Sequence, residues 1–474
     1  MGAGNAMTQV ERLAAFAAGT RYEDLSDSAR VQLKIRVLDA LGCALGALGT
    51  PLIGLLQAQA SEFGGTEKCT LIGAEKNAPD RAAFYNSALV RYLDFNDSYL
   101  AKGETCHPSD NLGAVVAACE YAGRSGRDLL TALALAYQVQ CRLSDAAPVR
   151  SKGFDHVTLG SYAVAAGVAR ALGMDPEHTA HAIAISGTAF NALRVTRTGA
   201  LSNWKGLAYA NTAFGAVNAV FLARRGVTGP LEVFEGNKGF MESIAGPFTI
   251  DWEREDLERV IQTITKKHNA EIHSQSAIEA ALELKRGYRL EGAEIERVEI
   301  EIFDVAFHII GGGQEGDKRN VRTKEEADHS LPYLIAVALL DGAVMPSQFM
   351  PARIHGADVQ GLLRKIFVRP REDFSARFPR ELPCRLSVRL NDGRTLTAVK
   401  RDYEGFLTNP ARWETVVQKF QNLSRPHTTG SLREQIADAV AHLEEIETGR
   451  LTELLRQVTP APRDREEGAL LYGP

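Results

Sequence analysis

The stretch from Arg91 to Glu120 carries the residues of this chain that are best suited to moving protons. It reads RYLDFNDSYLAKGETCHPSDNLGAVVAACE and sets Asp94, Ser98 and His107 between two apolar segments. Polar groups at a break between two helices can line a pocket without being buried inside a helix. A carboxylate and an imidazole held in such a pocket can exchange protons near neutral pH.

Two other interpretations of this stretch compete with proton transfer. In the simplest one, Ser109 or Asp110 caps the apolar helix that begins near Leu112, and the neighbouring acids face water. In the second, the stretch binds a divalent ion, because it holds suitable ligand types in Asp94, Asp97, His107 and Asp110. No pair of ligands at the helical spacing of a metalloenzyme motif accompanies them. We therefore predict no metal here.

A tract without acidic residues supplies cations later in the chain. Between His178 and Leu231 there is no Asp or Glu, while the tract holds Arg194, Arg197, Lys205, Arg224 and Arg225. In the whole chain 59 acids outnumber 54 bases, so this tract is one-sided. A basic wall suits a ligand with several carboxylates or phosphates. The last two arginines precede Gly226, and we expect them to face water at the end of a helix.

The composition indicates a soluble globular protein that binds neither nucleic acid nor a membrane. The chain has 474 residues, of which 45% are hydrophobic, and this length predicts two domains. Its formal charge of −5 argues against an anionic polymer or membrane surface as partner. Its six cysteines lack the spacing of a zinc or iron–sulfur site. With no signal peptide or long apolar span recognised, we predict a cytoplasmic protein. Without ligand spacing for a metal or an iron–sulfur cluster, we predict no cofactor.

The periodicity of apolar residues predicts a mainly α fold with a smaller α+β insertion. Residues 9–265 show helical spacing almost throughout. The alternating run from Val298 to Ile310 predicts a strand, and Asn391-Asp392-Gly393 between two alternating runs predicts a hairpin. Helical spacing returns from Pro410 to Leu455. We predict a large helical domain of residues 1-265 and 405-474 and an inserted α+β domain of residues 266-404.

Seven ordered blocks resemble the MmgE/PrpD family along nearly the whole chain. They are LDFNDSY with HPSDNLGA, VLDALGCAL, GFDHVTLGSYAVAAGVA, LRVTRTGALSNWKGLAYAN, AEIHSQSAIEAAL, ADHSLPYLIAVALLDG and YEGFLTNPARWETVVQKF. The resemblance implies a helical domain built from both chain ends, an inserted α+β domain and a homodimer. It also implies loss of water from a β-hydroxy tricarboxylate such as 2-methylcitrate or citrate. The chain departs from the family pattern at Asn203, where methionine is common, and at Ser98, where threonine is usual.

Residues and resemblance together give a set of site residues for that reaction. Dehydration needs a base, an acid and cations that hold the carboxylates. The predicted catalytic residues are Asp94, His107, His156 and Lys205. The predicted substrate-binding residues are Ser98, Arg194, Arg197 and Lys266, with Lys267 as the alternative to the last. Glu271, His273 and His329 are expected to shape the cleft, or else only to cap helices and pack a hinge.

The same residues leave three other functions open. The resemblance also covers decarboxylation of cis-aconitate and epimerisation of an aspartate-like substrate such as iminodisuccinate. Each of these reactions moves a proton beside a carboxylate, so the residue types separate them poorly. A non-catalytic dimer that binds a tricarboxylate is a different class. The presence of all four acid–base positions argues against that class.

Overall fold

Helices make up most of the computed structural model of this chain, which describes residues 6–461. The helices before residue 230 are α1 Gln9–Gly19, α2 Asp27–Ala47, α3 Pro51–Phe63, α4 Pro79–Tyr92, α5 Leu112–Tyr121, α6 Gly126–Ala146, α7 Val157–Leu172, α8 Pro176–Ala189 and α9 Trp204–Ala223. Those between residues 270 and 380 are α10 Gln275–Tyr288, α11 Asp304–Ile310, α12 Lys324–Ala327, α13 Leu331–Asp341, α14 Pro351–Ile354, α15 Ala357–Leu363 and α16 Glu372–Ser375. The last are α17 Trp413–Ser424, α18 Gly430–Ala441 and α19 Thr448–Arg456.

The buried hydrophobic side chains fall into two large clusters. The first joins residues from Val10 to Val260 with residues from Ala411 to Val458, so both ends of the chain contribute to it. The second runs from Ile264 to Phe406. A mainly helical fold is thus observed. The exact limits predicted for the two domains stay a prediction.

The second cluster surrounds a four-stranded sheet. Short two-residue strands β1 to β4 occur earlier, and the sheet is built from β5 Ile295–Ile302, β6 Ile366–Pro370, β7 Cys384–Leu390 and β8 Thr395–Lys400, in the order β6-β5-β7-β8. β5 pairs in parallel with β6 and antiparallel with β7. β7 and β8 form the predicted antiparallel hairpin, and Gly393 takes φ 87° in its turn.

The strand predicted from Val298 to Ile310 is wrong in its second half. β5 stops at Ile302, and residues 304–310 form α11 instead. The buried positions there are Ala306, Ile309 and Ile310, which have the spacing of a helix face. Asp304 in the first turn also suits the positive end of the helix dipole.

α9 is the one single helix within residues 6–461 that is long and apolar enough to cross a membrane. However, 67% of its apolar window is buried inside the protein. It packs against α4, α7 and α8, and its Ala and Gly residues permit that close contact. This burial is typical of a core helix in a soluble protein. As predicted, Arg224 and Arg225 are exposed at its C-terminal end.

Candidate active site

The C-terminal end of α4 places Asp94 in an unusual backbone conformation. Asp94 has φ 54°, in the left-handed region that non-glycine residues rarely adopt. This backbone conformation costs about 1–3 kcal/mol, and it persists only where the surrounding structure holds the residue in it. Its carboxylate Oδ1 lies 2.7 Å from Arg91 Nη1 and 2.5 Å from Lys266 Nζ. Two cations that contact the same carboxylate oxygen therefore hold Asp94 in this conformation.

The Asp94 carboxylate belongs to a buried cluster of charges. Its Oδ2 lies 3.3 Å from Lys205 Nζ and 3.6 Å from His329 Nδ1. Lys205 also binds Asp328, whose Oδ1 is 2.8 Å from His329 Nδ1. Burial alone would raise the pKa of Asp94, but Arg91, Lys266 and Lys205 hold it well below its usual range. Asp94 is thus an ionised carboxylate near neutral pH.

His107 is oriented by the backbone of the same stretch. Its Nδ1 lies 2.8 Å from the carbonyl oxygen of Asp97 and 3.1 Å from Ser98 Oγ. A carbonyl only accepts hydrogen bonds, so Nδ1 carries the proton and Nε2 keeps its lone pair. Burial, reinforced by Arg91 and Lys266, holds the pKa of His107 well below its usual range. The ring is therefore a neutral imidazole that can accept a proton.

His156 stands at the start of α7, paired with an acid that precedes it directly. Its Nδ1 lies 3.0 Å from Asp155 Oδ1, and its buried Nε2 has no hydrogen-bond partner. Burial lowers the pKa of His156 to about 4, although Asp155 opposes the shift. The rings of His107 and His156 meet edge to face, with centroids 5.4 Å apart. Two neutral bases thus share one site.

A short 3₁₀ turn, Arg194–Arg197, brings two arginines of the acid-free tract to the same place. Arg197 Nε lies 2.9 Å from Asp155 Oδ2, and its buried Nη2 has no partner. Arg194 Nη2 lies 2.6 Å from Glu315 Oε1, which comes from the loop after α11. One guanidinium donor is therefore free, and another is occupied by a carboxylate of the protein.

Five of the eight predicted site residues line one pocket: Asp94, His107, His156, Arg194 and Arg197. The other three lie behind that lining. Lys205 and Lys266 contact the Asp94 carboxylate, and Ser98 contacts the His107 ring. The lining is completed by Arg91, Thr105, Arg150, Glu271, Ile309, Glu315 and His329. The structure thus brings all eight residues together.

The polar residues behind the pocket lining do not form the helix cap that the simplest interpretation of this stretch predicts. Neither Ser109 nor Asp110 caps α5, which begins after Asn111 without a side-chain cap. Instead, Asn96 Nδ2 donates to Ser109 Oγ at 2.9 Å and to Asp110 Oδ1 at 2.8 Å. The Ser109 amide donates to Asp97 Oδ1 at 3.0 Å. That prediction is wrong because these side chains form a buried network with one another.

Three acidic partners of the predicted site residues are missing from the sequence prediction: Asp155, Asp328 and Glu315. Two of them had an available signal, because Asp155 directly precedes His156 and Asp328 directly precedes His329. Glu315 lies in a glycine-rich loop without such a signal. Of the cleft-shaping candidates, Glu271 and His329 line the pocket. His273 instead donates to Glu271 Oε1 at 2.6 Å.

One group of residues in the described part of the chain has the make-up of a metal site. Asp94, Asp328 and His329 each offer one ligand atom, and these atoms lie within 4.8 Å of one another. The Lys205 ammonium contacts both carboxylates. A protein cation therefore already neutralises this cluster.

The chain is similar in sequence to several proteins named as dehydratases. The chain is 28% identical over 412 residues to 2-methylcitrate dehydratase of Salmonella typhi, covering 81% of this chain and 83% of that protein. It is 29% identical over 356 residues to 2-methylcitrate dehydratase of Escherichia coli strain K12, covering 70% and 71%. It is 27% identical over 434 residues to an alkylcitrate dehydratase of a fungal species, covering 83% of both.

Two family models account for most of the chain. The MmgE/PrpD N-terminal domain matches residues 11–253, and the MmgE/PrpD C-terminal domain matches residues 268–445. The first match includes both histidines and the arginine turn, and the second includes Lys324, Asp328 and His329. The chain belongs to the MmgE/PrpD family.

Proposed function

We propose that this protein is a cofactor-independent hydro-lyase that dehydrates 2-methylcitrate, or citrate, to a cis-aconitate-type alkene. The observation that carries the proposal is a pair of neutral histidines in one pocket with arginines. Family membership and the relatives named as dehydratases of citrate-type substrates support it. Decarboxylation of cis-aconitate and epimerisation of iminodisuccinate remain the alternatives, because both begin beside a carboxylate.

His156 is the base in this proposal. Its free Nε2 takes the proton from the carbon beside a carboxylate, and the Asp155 carboxylate stabilises the imidazolium that forms. The breaking C–O bond releases hydroxide, and the imidazolium returns the proton to it as water. His107 lies close enough to relay that proton to the leaving oxygen. Atoms and charge balance without an external acid.

The arginines bind the substrate carboxylates and stabilise the charge that develops on one of them. Arg197 offers its free Nη2, and Arg150 lines the same pocket. Such fixed donors act most strongly where water is excluded. Asp94 is ionised and engaged by several cations, so we assign it to holding Lys205 and Lys266 in place and not to removing the proton.

A substrate panel followed by mass spectrometry tests this function against its alternatives. The panel contains 2-methylcitrate, citrate, cis-aconitate and iminodisuccinate. Loss of water from one of the first two supports the proposal. Release of carbon dioxide from cis-aconitate, or exchange of a proton in iminodisuccinate without alkene formation, would replace it with the corresponding alternative.

The lowered histidine pKa values predict how activity depends on pH. The base must be neutral, so kcat/KM should be level near neutrality and fall in acid as His156 titrates near pH 4. Stability should change in the same direction. An unfolded histidine has a pKa of about 6.5, so the unfolded chain binds protons first and the free energy of unfolding falls below that pH.

Initial rates and thermal unfolding midpoints measured from pH 4 to 8 check this prediction. In the His156→Gln variant the acid-induced fall in the midpoint should be smaller than in wild type. An increase of kcat/KM as the pH is lowered from 7 to 5 would show that a protonated histidine is the active form.

Replacement of Glu315 should also have a measurable effect, because its carboxylate binds the Arg194 guanidinium that we expect to bind a substrate carboxylate. A substrate carboxylate must displace Glu315 from Arg194. The Glu315→Gln variant is expected to lower KM about three- to thirtyfold, since a charged hydrogen bond of about 1.5–3 kcal/mol is replaced by a neutral one of about 0.5–1.5 kcal/mol. Its kcat should change little. Steady-state kinetics with the substrate found in the panel measures both.

Asp317→Asn is the matched control, because Asp317 lies on the same loop but pairs with the exposed Arg319. It should leave KM unchanged. A Glu315→Gln variant with raised KM or lost turnover would instead place Glu315 among the groups that act on the substrate. Homodimeric assembly, which the resemblance implies, and a cytoplasmic location, which the sequence pattern favours, stay predictions.

A further inference from the structure

The last carbonyl group of α4 and the three that follow it are each bound by a side chain from a distant part of the chain. Tyr92 O accepts from Lys324, Leu93 O from Asn269, Asp94 O from Lys266 and Phe95 O from Lys419, at 2.5 to 2.8 Å. Carbonyls at a helix end lack partners within the helix and carry its negative charge. We name Lys266, Asn269, Lys324 and Lys419 the carbonyl clamp.

Lys419 on α17 is the lysine of the clamp that pairs with neither Asp94 nor Asp328. Its ammonium nitrogen lies 2.7 Å from Phe95 O, 3.0 Å from Lys266 O and 2.7 Å from Asp39 Oδ1. The first two contacts are hydrogen bonds to carbonyl oxygens, and the third is an ion pair with a buried carboxylate. It also lies 3.7 Å from the centre of the Phe95 ring. One ammonium thus ties together the residue after Asp94 and the residue that binds Asp94.

We propose that Lys419, held by Asp39, is a positioning residue for the active site. By fixing the backbones of Phe95 and Lys266, it holds Asp94 in its left-handed conformation and keeps the Lys266–Asp94 contact at 2.5 Å. The Lys266–Asp94 contact keeps the charge cluster of Asp94, Lys205 and Asp328 in position beside His107 and His156. This inference rests on the proposed function, because it concerns the geometry of the same reaction.

A simpler role is possible for the same contacts, and it makes a different prediction. Asp39 lies on α2, so the Asp39–Lys419 pair also joins α2 to α17. A tie of that kind would affect only the free energy of unfolding. Lys34 on α2 provides such a tie, since its ammonium binds Ala441 O at 2.9 Å and Glu444 Oε1 at 2.8 Å. Lys34→Ala is therefore the matched control.

A cleft beside Lys419 makes chemical rescue feasible. The cleft is lined by Asp39, Phe95, Lys266 and Lys419 among others, and it lies apart from the pocket with the histidines. Removal of the lysine side chain extends this cleft to the two carbonyls and the Asp39 carboxylate. A small alkylammonium ion such as propylammonium can then replace the missing group.

The experiment measures kcat and KM of wild type, Lys419→Ala and Lys34→Ala, with and without propylammonium. Lys419→Ala is expected to lower kcat about 10²-fold, the loss typical of a displacement of about 1 Å in a site, with a much smaller change in KM. Propylammonium should restore part of kcat in that variant only. Lys34→Ala should keep the wild-type kcat even if its unfolding midpoint falls.

A folded Lys419→Ala variant with wild-type kcat, or one that propylammonium stabilises without raising kcat, overturns the proposal. If Lys419→Ala does not fold, Lys419→Gln, which keeps the first half of the aliphatic stem, takes its place under the same criteria. Failure of both to fold while Lys34→Ala folds also overturns it, because Lys419 would then be a stability element. A wild-type protein without turnover would refute the proposed function and not this inference.

Discussion

Replacing His107 by asparagine is expected to lower kcat by about 10²–10⁴-fold, the usual contribution of a positioned acid–base group. The unfolding midpoint should stay nearly unchanged. The asparagine amide can reproduce the hydrogen bond that His107 Nδ1 makes to Asp97 O, whereas it has no counterpart of Nε2. The variant therefore loses the proton-accepting nitrogen and keeps the hydrogen bond that positions the side chain. Steady-state kinetics measures the change in kcat, and thermal unfolding of the same preparation measures the change in the midpoint.

His178→Asn is the matched control for this prediction. His178 also binds an oxygen acceptor through Nδ1, the Asp175 carboxylate at 2.8 Å, but it is exposed at the start of α8. Its replacement should change neither turnover nor stability by much. If His107→Asn turned over at the wild-type rate, His107 would have no part in proton transfer.

Replacing Lys205 by methionine is expected to affect both activity and stability strongly. Lys205 is 3% exposed and lies between the carboxylates of Asp94 and Asp328. Loss of one partner from a buried ion pair costs about 3–5 kcal/mol. Asp94 keeps Arg91 and Lys266 as partners and Asp328 keeps Lys324, so we expect a loss at the lower end of that range. kcat should fall at least about 10²-fold as the charge cluster rearranges. Urea unfolding gives the first quantity and steady-state kinetics the second.

A double variant separates the two effects of Lys205. In Lys205→Met with Asp328→Asn, the carboxylate that lost Lys205 is removed as well, but Lys324 and His329 then lose a partner. Only part of the lost free energy of unfolding should therefore return. Activity should stay low. Lys76→Met, at a half-exposed lysine paired with Glu120, is the control and should be close to neutral. Wild-type activity in Lys205→Met would exclude Lys205 from the site.

Local signals in the sequence were sufficient for several features of this protein. The Asn391-Asp392-Gly393 turn fixed the hairpin because only certain residues accept its backbone angles. The polar break after α4 identified Asp94 and His107, and the acid-free tract identified Arg194 and Arg197. In each case the residue types within a short window determine the outcome.

Features that depend on contacts between distant residues could not be predicted in this way. Glu315 meets Arg194 across 121 positions, and Lys419 meets Phe95 across 324. Nothing in their own neighbourhoods marks either one. The predicted strand that ran past Ile302 failed for a related reason, because a short apolar run fits a strand or a helix until its packing partners are known.

The measurement that tests the central claim most directly is the ultraviolet absorbance of the product. Purified wild-type protein is mixed with 2-methylcitrate, and in parallel with citrate, in a buffer containing a metal chelator. If the protein is a dehydratase, the absorbance from the conjugated alkene rises steadily with wild type and hardly at all with His107→Asn. No rise above the blank with either substrate would contradict it.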